Sequence, residues 1–159
     1  MTQGNLATAQ GKILENLVEY TFLQHGFRSM SHAQFQKSPY DGGDVLLKNV
    51  PFTNIYGSTS RTEFAARSPR LGLNLRIECK WQQSSGSVDE KFPYLYLNCM
   101  EAMPEPHVII LIDGGGYRPA ALHWLEQAVA QRRYAAGNAK RVDVMNMGQF
   151  VAWANAALR

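Results

Sequence analysis

Apolar residues recur every three or four positions near the start of the chain, which predicts an amphipathic helix from about residue 6 to residue 24. Gly26 supplies a stop signal just beyond this helix. Glu15 lies off the apolar stripe, so it is either a solvated carboxylate or, if the helix packs against a site, a member of that site. The stripe consists of Leu6, Ile13, Leu14, Leu17, Val18 and Phe22.

Residues 73–82 alternate between apolar and polar side chains, as a strand with one face on the core does. The apolar face carries Leu75, Ile77 and Cys79, and the opposite face carries Arg76, Glu78 and Lys80. This strand therefore ends with a carboxylate and an ammonium on the same face.

A second strand precedes it. Residues 61–67 also alternate, and the turn-forming residues 68–72 make a short connection to the next strand. A connection of this length predicts an antiparallel hairpin. The start of its first strand then lies beside the end of its second, which places Glu63 near Glu78 and Lys80.

Beyond the hairpin, residues 88–103 have helical spacing, and Ser87 followed by Glu90 fits a capping box. Residues 107–113 form an uninterrupted apolar run, typical of a strand buried on both faces with a parallel neighbour. The glycines at 114–116 predict a flexible turn. The remaining predicted elements are a helix over 120–136, a strand over 141–145 and a helix over 150–158.

The pattern between residues 27 and 60 is weak. Residues 45–47 form a short apolar run, and residues 52–56 alternate as a strand or as an approach to the hairpin. Residues 57–61 are polar and are expected to be mobile.

The length of 159 residues predicts one domain over residues 1–159. We expect no membrane span and no signal peptide, because the chain has no 18-residue apolar run and its start lacks a leader pattern. Cys79 and Cys99 fit buried small hydrophobes, so a reduced, cytoplasmic compartment is expected. A net charge of +3 is compatible with binding to nucleic acid.

Glu78 and Lys80 admit two interpretations. A pair of this kind is often only a solvated ion pair. With Glu63 nearby, however, two carboxylates repel each other unless a cation lies between them, and Mg²⁺ suits such oxygen ligands. A lysine beside that cation would stabilise charge on a reacting phosphate.

The polar segment after the hairpin and the basic residues around it are candidate contacts to a DNA backbone. Since the start of a helix favours phosphate, serines preceding the helix at 88 join this set. Binding of this kind is expected to weaken steeply with salt. The candidate DNA-binding residues are Arg61, Arg67, Arg76, Gln82, Ser84, Ser87 and Lys91.

Glu15, Glu63 and the segment Ile77-Glu78-Cys79-Lys80 together resemble the PD-(D/E)xK nuclease superfamily, and the closest likeness is to small phage-type or prophage-type members. The resemblance covers about residues 6–113. It implies an α/β, restriction-endonuclease-like fold: an αβββαβ core with a mixed central sheet flanked by helices. It also implies a bacterial cytoplasmic setting.

The resemblance assigns roles to these residues. Glu63, Glu78, Lys80 and Glu15 would be catalytic, and the metal would be held by Glu63, Glu78, the Cys79 backbone carbonyl and Glu15. The cofactor would be Mg²⁺, with Mn²⁺ as a substitute. No Pro-Asp precedes the hairpin, so Asp41 and Asp44 remain rivals of Glu63 for the first acid.

The function expected from these observations is a metal-dependent DNA endonuclease that hydrolyses phosphodiester bonds, with structure selectivity like that of Holliday-junction resolvases. A homodimer is expected if the substrate has twofold symmetry. Two alternatives stay open: a non-catalytic DNA-binding or assembly protein that keeps the nuclease fold, and an enzyme acting on a small phosphate ester.

Overall fold

A mixed six-stranded sheet, in the spatial order β1-β2-β3-β4-β5-β6, forms the centre of the protein in the computed structural model. The structure describes residues 3–135 and 137–159, and side chains from residue 9 onward. The strands are β1 (Arg28–Ser31), β2 (Val45–Thr53), β3 (Thr59–Ser68), β4 (Leu73–Trp81), β5 (His107–Asp113) and β6 (Arg141–Met145). The helices are α1 (Gln3–Gln24), α2 (His32–Phe35), α3 (Val88–Leu97), α4 (Pro119–Ala130) and α5 (Met147–Ala157), and a π-helical turn (Asn98–Ala102) extends α3.

The strands β2, β3 and β4 are antiparallel neighbours, whereas β1 runs parallel to β2 and the strands β4, β5 and β6 run parallel to one another. One face of the sheet buries an apolar core under α1 and α5. The opposite face buries a second core under α3 and α4. The predicted α/β class, with a mixed sheet between helices and an αβββαβ order running from α1 through β2, β3, β4 and α3 to β5, is confirmed.

The hairpin predicted from alternation is present as β3 and β4, joined by a turn at residues 69–72. The weak region before it contains a longer strand than expected, since β2 runs over Val45–Thr53. The prediction that residues 57–61 are mobile was wrong for residues 59–61, which lie in β3 and pair with the end of β2. The sequence of β2 does not alternate between apolar and polar residues at its start, because this part of the strand is buried on both faces.

The predicted capping box at Ser87 was wrong. Ser87 makes no side-chain bond to the start of α3. Instead, the backbone N–H of Val88 donates to Gln82 Oε1 at 3.1 Å. The helix therefore begins at a side chain supplied by the residue that follows β4.

The glycines after β5 form a tight turn and not the flexible one that was predicted. A Cβ on Gly114 would lie 2.4 Å from the backbone oxygen of Gln82, and one on Gly116 would lie 2.4 Å from the backbone of Gln83. This turn therefore packs directly against the segment that leaves β4.

Two predictions reach residues that the structure does not describe, namely the side chain of Leu6 and the end of the predicted helix at Ala136. The described part of that helix, α4, ends earlier, at Ala130. None of the described helices has the length and apolarity needed to cross a membrane.

Candidate active site

The two faces of β4 divide as the alternation predicted. Leu75, Ile77 and Cys79 belong to the core under α1 and α5. The side chains on the opposite face differ in their surroundings, because Arg76 lies in mid-strand while Glu78 and Lys80 lie near the strand end. Glu78 and Lys80 at the strand end line a cavity, whereas Arg76 is enclosed by the protein.

Arg76 is 1% exposed and forms a buried ion pair with Glu105, in which Nη2 lies 2.9 Å from Oε1. Its Nη1 also donates to Thr62 Oγ1 and to the backbone oxygen of Val50. Every part of this guanidinium therefore has a protein partner. The prediction that Arg76 contacts DNA was wrong, because charge pattern alone does not reveal burial.

Glu63 reaches the end of β4 because β3 and β4 separate there. Their backbone pairing runs from Ser68 opposite Leu73 to Phe64 opposite Ile77. Beyond that point the backbone N–H of Cys79 donates to Glu63 Oε2 at 2.9 Å. The carboxylate thus takes the place of a strand backbone acceptor, and the opening between the strands brings Glu63 beside Glu78.

Glu78 is buried, and its two oxygens differ. Lys80 Nζ donates to Oε1. In the ionised form of Glu78, no described residue donates a hydrogen bond to Oε2, although this atom is buried. Burial raises the pKa of Glu78 to about 7, against the opposing field of Lys80, and the neighbouring Glu63 adds to the rise. An unsatisfied carboxylate oxygen in a buried position is costly, so this site calls for a cationic partner.

Lys80 is held as a cation by the same cluster. Burial by itself lowers the pKa of this ammonium, but the Glu78 and Glu63 carboxylates outweigh burial and the net pKa is raised. The side chain is partly exposed, so the charge faces the cavity as well as Glu78.

Glu15 joins the site from α1, which packs across the sheet. Burial, followed by the neighbouring Glu63 carboxylate, raises the pKa of Glu15. Glu15 and Glu63 line a cavity of about 370 Å³ on the α1 side. Glu78 and Lys80 line a second cavity of about 160 Å³ on the α3 side. Both cavities lie at the open end of the hairpin and share Arg61, and we refer to the two together as the cleft. The four predicted catalytic residues line it.

Among the described residues there is no group of three or more His, Cys, Asp or Glu side chains arranged closely enough to form a ready metal centre. The donor chemistry nevertheless fits a hard divalent cation. The Glu63 carboxylate lies close enough to Glu78 to raise its pKa, and one oxygen of Glu78 has no described partner. A bound cation would satisfy that oxygen and relieve the repulsion.

The structure separates the rivals for the first acid. Asp44 accepts hydrogen bonds from Ser68 and Arg70, and Asp41 forms an ion pair with Arg28 at 2.7 Å. Both lie beside the start of β2, which pairs with the end of β3 and is at the opposite end of the hairpin from Glu78. Glu63 is therefore the acid that the fold brings to the Glu78 and Lys80 pair.

The predicted DNA contacts divide into two groups. Arg61 and Lys91 are exposed and line the cleft, whereas Ser84 and Ser87 are exposed in the loop that follows β4. Gln82 is only 6% exposed, and its side-chain amide bonds to Gly116 and Val88, so it holds the loop together. Arg67 lies towards the other end of the hairpin with its guanidinium 5.4 Å from the Phe35 ring centroid. Neither Gln82 nor Arg67 is placed to contact DNA at the cleft.

Sequence reasoning missed two charged residues in the cleft. Lys48 Nζ lies 3.0 Å from Glu19 Oε1, and both side chains line the cavity that contains Glu15. Glu19 could have been found, because it lies four residues after Glu15 and hence on the same helix face. Lys48 could not, because it falls in the segment whose strand pattern was weak.

The chain matches the family model described as a PD-(D/E)XK nuclease superfamily domain over residues 6–158. This match covers almost the whole chain, and with the mixed sheet and flanking helices it supports a restriction-endonuclease-like fold. No curated protein and no solved structure matched the chain.

Proposed function

The chain belongs to the PD-(D/E)XK nuclease superfamily, and on that premise we propose that it is a metal-dependent DNA endonuclease acting at the Glu63, Glu78 and Lys80 cleft. Membership supports a nuclease with a DNA substrate. The choice of Mg²⁺, the endonucleolytic action and a preference for branched DNA belong to this proposal.

The unsatisfied oxygen of Glu78 is the observation that carries the proposal. It is buried, it adjoins a second carboxylate, and it lies beside a lysine whose ammonium is held charged. The buried pair of Arg76 and Glu105 shows that this fold can satisfy a buried carboxylate completely when its role is structural. The open oxygen of Glu78 therefore supports a bound cation as the partner of the ionised carboxylate.

We assign the cleft residues to metal binding, charge stabilisation and binding of the DNA backbone. Glu63, Glu78 and the Cys79 backbone carbonyl would hold the cation, and Glu15 would add a direct or water-mediated contact. When bound, Mg²⁺ supplies Lewis-acid polarisation of the scissile phosphate and stabilises its developing charge. Lys80 orients the attacking water or stabilises negative charge that develops on the phosphate. Arg61 and Lys91 are at the rim, where they can bind the DNA backbone.

The test is cleavage of supercoiled plasmid, linear duplex, single-stranded DNA and a four-way junction, with Mg²⁺, Mn²⁺ or EDTA. We expect cutting with either metal, none in EDTA, and products with 5′-phosphate and 3′-hydroxyl ends. Metal-independent cutting, or phosphate left on the 3′ end, would contradict the proposed chemistry.

One observation favours a second candidate, a non-catalytic DNA-binding protein with the nuclease fold. Lys80 donates directly to Glu78 Oε1, and this contact also suits a purely structural pair. Such a protein would bind DNA equally well with and without metal and would never cut it. Equal binding by the wild type and Lys80→Ala, with no cutting by either, would select this candidate.

A further inference from the structure

Tyr56 is the most exposed large hydrophobic side chain among the described residues, at 76%. It lies in the turn between β2 and β3. This turn is at the open end of the β3–β4 hairpin, where the cleft lies. One face of its ring stacks on Tyr94 of α3, with ring centroids 5.3 Å apart and ring planes inclined by 24°. Because so much of the ring remains exposed, its opposite face is open to a further ring.

The turn that presents Tyr56 is held by buried polar groups. Asn54 Oδ1 accepts hydrogen bonds from the backbone N–H groups of Tyr56 and Ser58, at 2.9 and 3.1 Å. Asn98, which is also buried, accepts from the backbone N–H of Ile55 at 3.0 Å. The aromatic ring is therefore held in place by the fold, although its burial contributes little to stability.

The stacked pair adjoins the proposed catalytic groups. Tyr94 lines the same cavity as Glu78 and Lys80, and this cavity is bordered by the basic side chains of Arg61 and Lys91. A strand whose phosphates contact these cations would have a base within reach of the tyrosine pair. An aromatic face beside basic side chains is the combination by which proteins bind unpaired nucleotides.

We propose that Tyr56, supported by Tyr94, is a stacking platform for an unpaired nucleobase of the DNA strand in the cleft. The site then selects single-stranded or locally unpaired DNA over continuous duplex, since bases inside a duplex have no free face for the ring. This inference rests on the proposed function for the strand in the cleft, and it adds the class of DNA that the site prefers.

The test compares the wild type, Tyr56→Ala and Tyr56→Phe in the full chain. The matched control is Tyr20→Ala, which removes another exposed tyrosine, 64% exposed, on α1. Affinity is measured in EDTA, where the proposed cleavage cannot occur, for a single strand and for a duplex of the same sequence. 2-Aminopurine placed at successive positions of the single strand reports stacking through its fluorescence. Cleavage of both DNAs is then measured with Mg²⁺.

We expect Tyr56→Ala to weaken single-strand binding by roughly 5- to 150-fold, the range for loss of one base–aromatic stack, and to remove the 2-aminopurine quenching. Duplex affinity should change by less than about twofold. Tyr56→Phe and Tyr20→Ala should resemble the wild type, since the first keeps the ring and the second leaves the platform intact.

Equal losses on the single strand and the duplex, or a Tyr56→Ala protein that binds the single strand as the wild type does, would overturn the stacking platform. If the wild type cuts no DNA but Tyr56→Ala still loses single-strand affinity and quenching, the stacking platform stands and the nuclease proposal fails. A wild type that binds neither DNA in EDTA would overturn the stacking platform, and one that also cuts neither DNA with Mg²⁺ would overturn both proposals.

Discussion

Two acid–base pairs lie on the same face of β4, and they differ in how completely each carboxylate is satisfied. Glu105 accepts two hydrogen bonds from Arg76, whose guanidinium also bonds to Thr62 and to two backbone oxygens. Glu78 accepts one bond from Lys80, and its second oxygen has no partner among the described residues. The pair of Arg76 and Glu105 is buried in the protein interior, and the pair of Lys80 and Glu78 faces a cavity.

The difference shows how one strand can carry both a structural and a functional pair. A planar guanidinium binds a carboxylate through two parallel bonds, whereas an ammonium acts as a single charge and leaves an oxygen available. The separation of β3 from β4 at Glu63 adds a second carboxylate beside the available oxygen. A buried carboxylate oxygen without a hydrogen-bond partner therefore distinguishes the candidate site from the structural pair.

The largest effect is expected from breaking the structural pair. Arg76→Ala leaves Glu105 buried without its cation, and we expect it to lower the free energy of unfolding by about 3–5 kcal/mol. Urea denaturation measures this change. The exposed Arg70→Ala, which loses a surface pair, should cost at most about 1 kcal/mol. Recovery in the double variant Arg76→Met, Glu105→Leu would support the explanation, and a mild Arg76→Ala would contradict it.

The next largest effect expected is stabilisation of the folded protein by a metal ion bound at Glu78, beside Lys80. A cation that binds only the folded protein, at a hundred times its Kd, stabilises by about 2.7 kcal/mol. We expect Mn²⁺ to raise the melting temperature of the wild type and not that of Glu78→Gln, because the amide cannot supply the charge. Glu126→Gln on the exposed face of α4 is the control and should respond as the wild type does. The same rise in Glu78→Gln would place the metal elsewhere.

The metal effect should also depend on pH. Folding raises the pKa of Glu78 from 4.5 to about 7, so the metal-free folded protein binds this proton more tightly than the unfolded chain does. Its contribution to stability therefore falls as pH rises between these two values. Since a metal requires the ionised carboxylate, stabilisation by Mn²⁺ should be larger at pH 8 than at pH 6. Calorimetric melting at both pH values measures it, and a larger effect at pH 6 would contradict it.

The smallest effect is expected from the rival acid. Asp44→Asn weakens a pair with Arg70 at the far end of the hairpin, so we expect cleavage to remain within about twofold of the wild type and stability to fall by at most about 1 kcal/mol. Glu63→Gln, compared in the same cleavage assay, should lose about 100-fold or more, as removal of a catalytic electrostatic group does. The reverse order would make Asp44 the first acid.

Sequence alone predicted much of the frame of the site. Alternation in the hairpin gave the faces of β4, and the antiparallel connection placed Glu63 near Glu78, as the hydrogen bond to Cys79 confirms. Helical spacing gave α1, but its packing on the sheet, which brings Glu15 to the cleft, had to come from the structure. These predictions succeeded because they depend on local periodicity and short connections.

Other features depend on distant parts of the chain and could not be predicted. Arg76 looked like a DNA contact because its partner, Glu105, lies 29 residues away. Gln82 looked like a loop contact because its bonds reach Gly116 and Val88. The aromatic pair of Tyr56 and Tyr94 joins a turn to a helix across 38 positions of sequence, so no local pattern could reveal it.

The most direct test of the central claim compares the plasmid-cleavage rates of the wild type and Lys80→Ala in Mg²⁺, at equal concentrations of protein shown to be folded. We predict that Lys80→Ala melts within a few degrees of the wild type, still binds the plasmid, and cuts it about 100-fold or more slowly, because the variant loses charge stabilisation. Equal cutting rates for the two proteins would contradict the assignment of the Glu78 and Lys80 pair as the catalytic one.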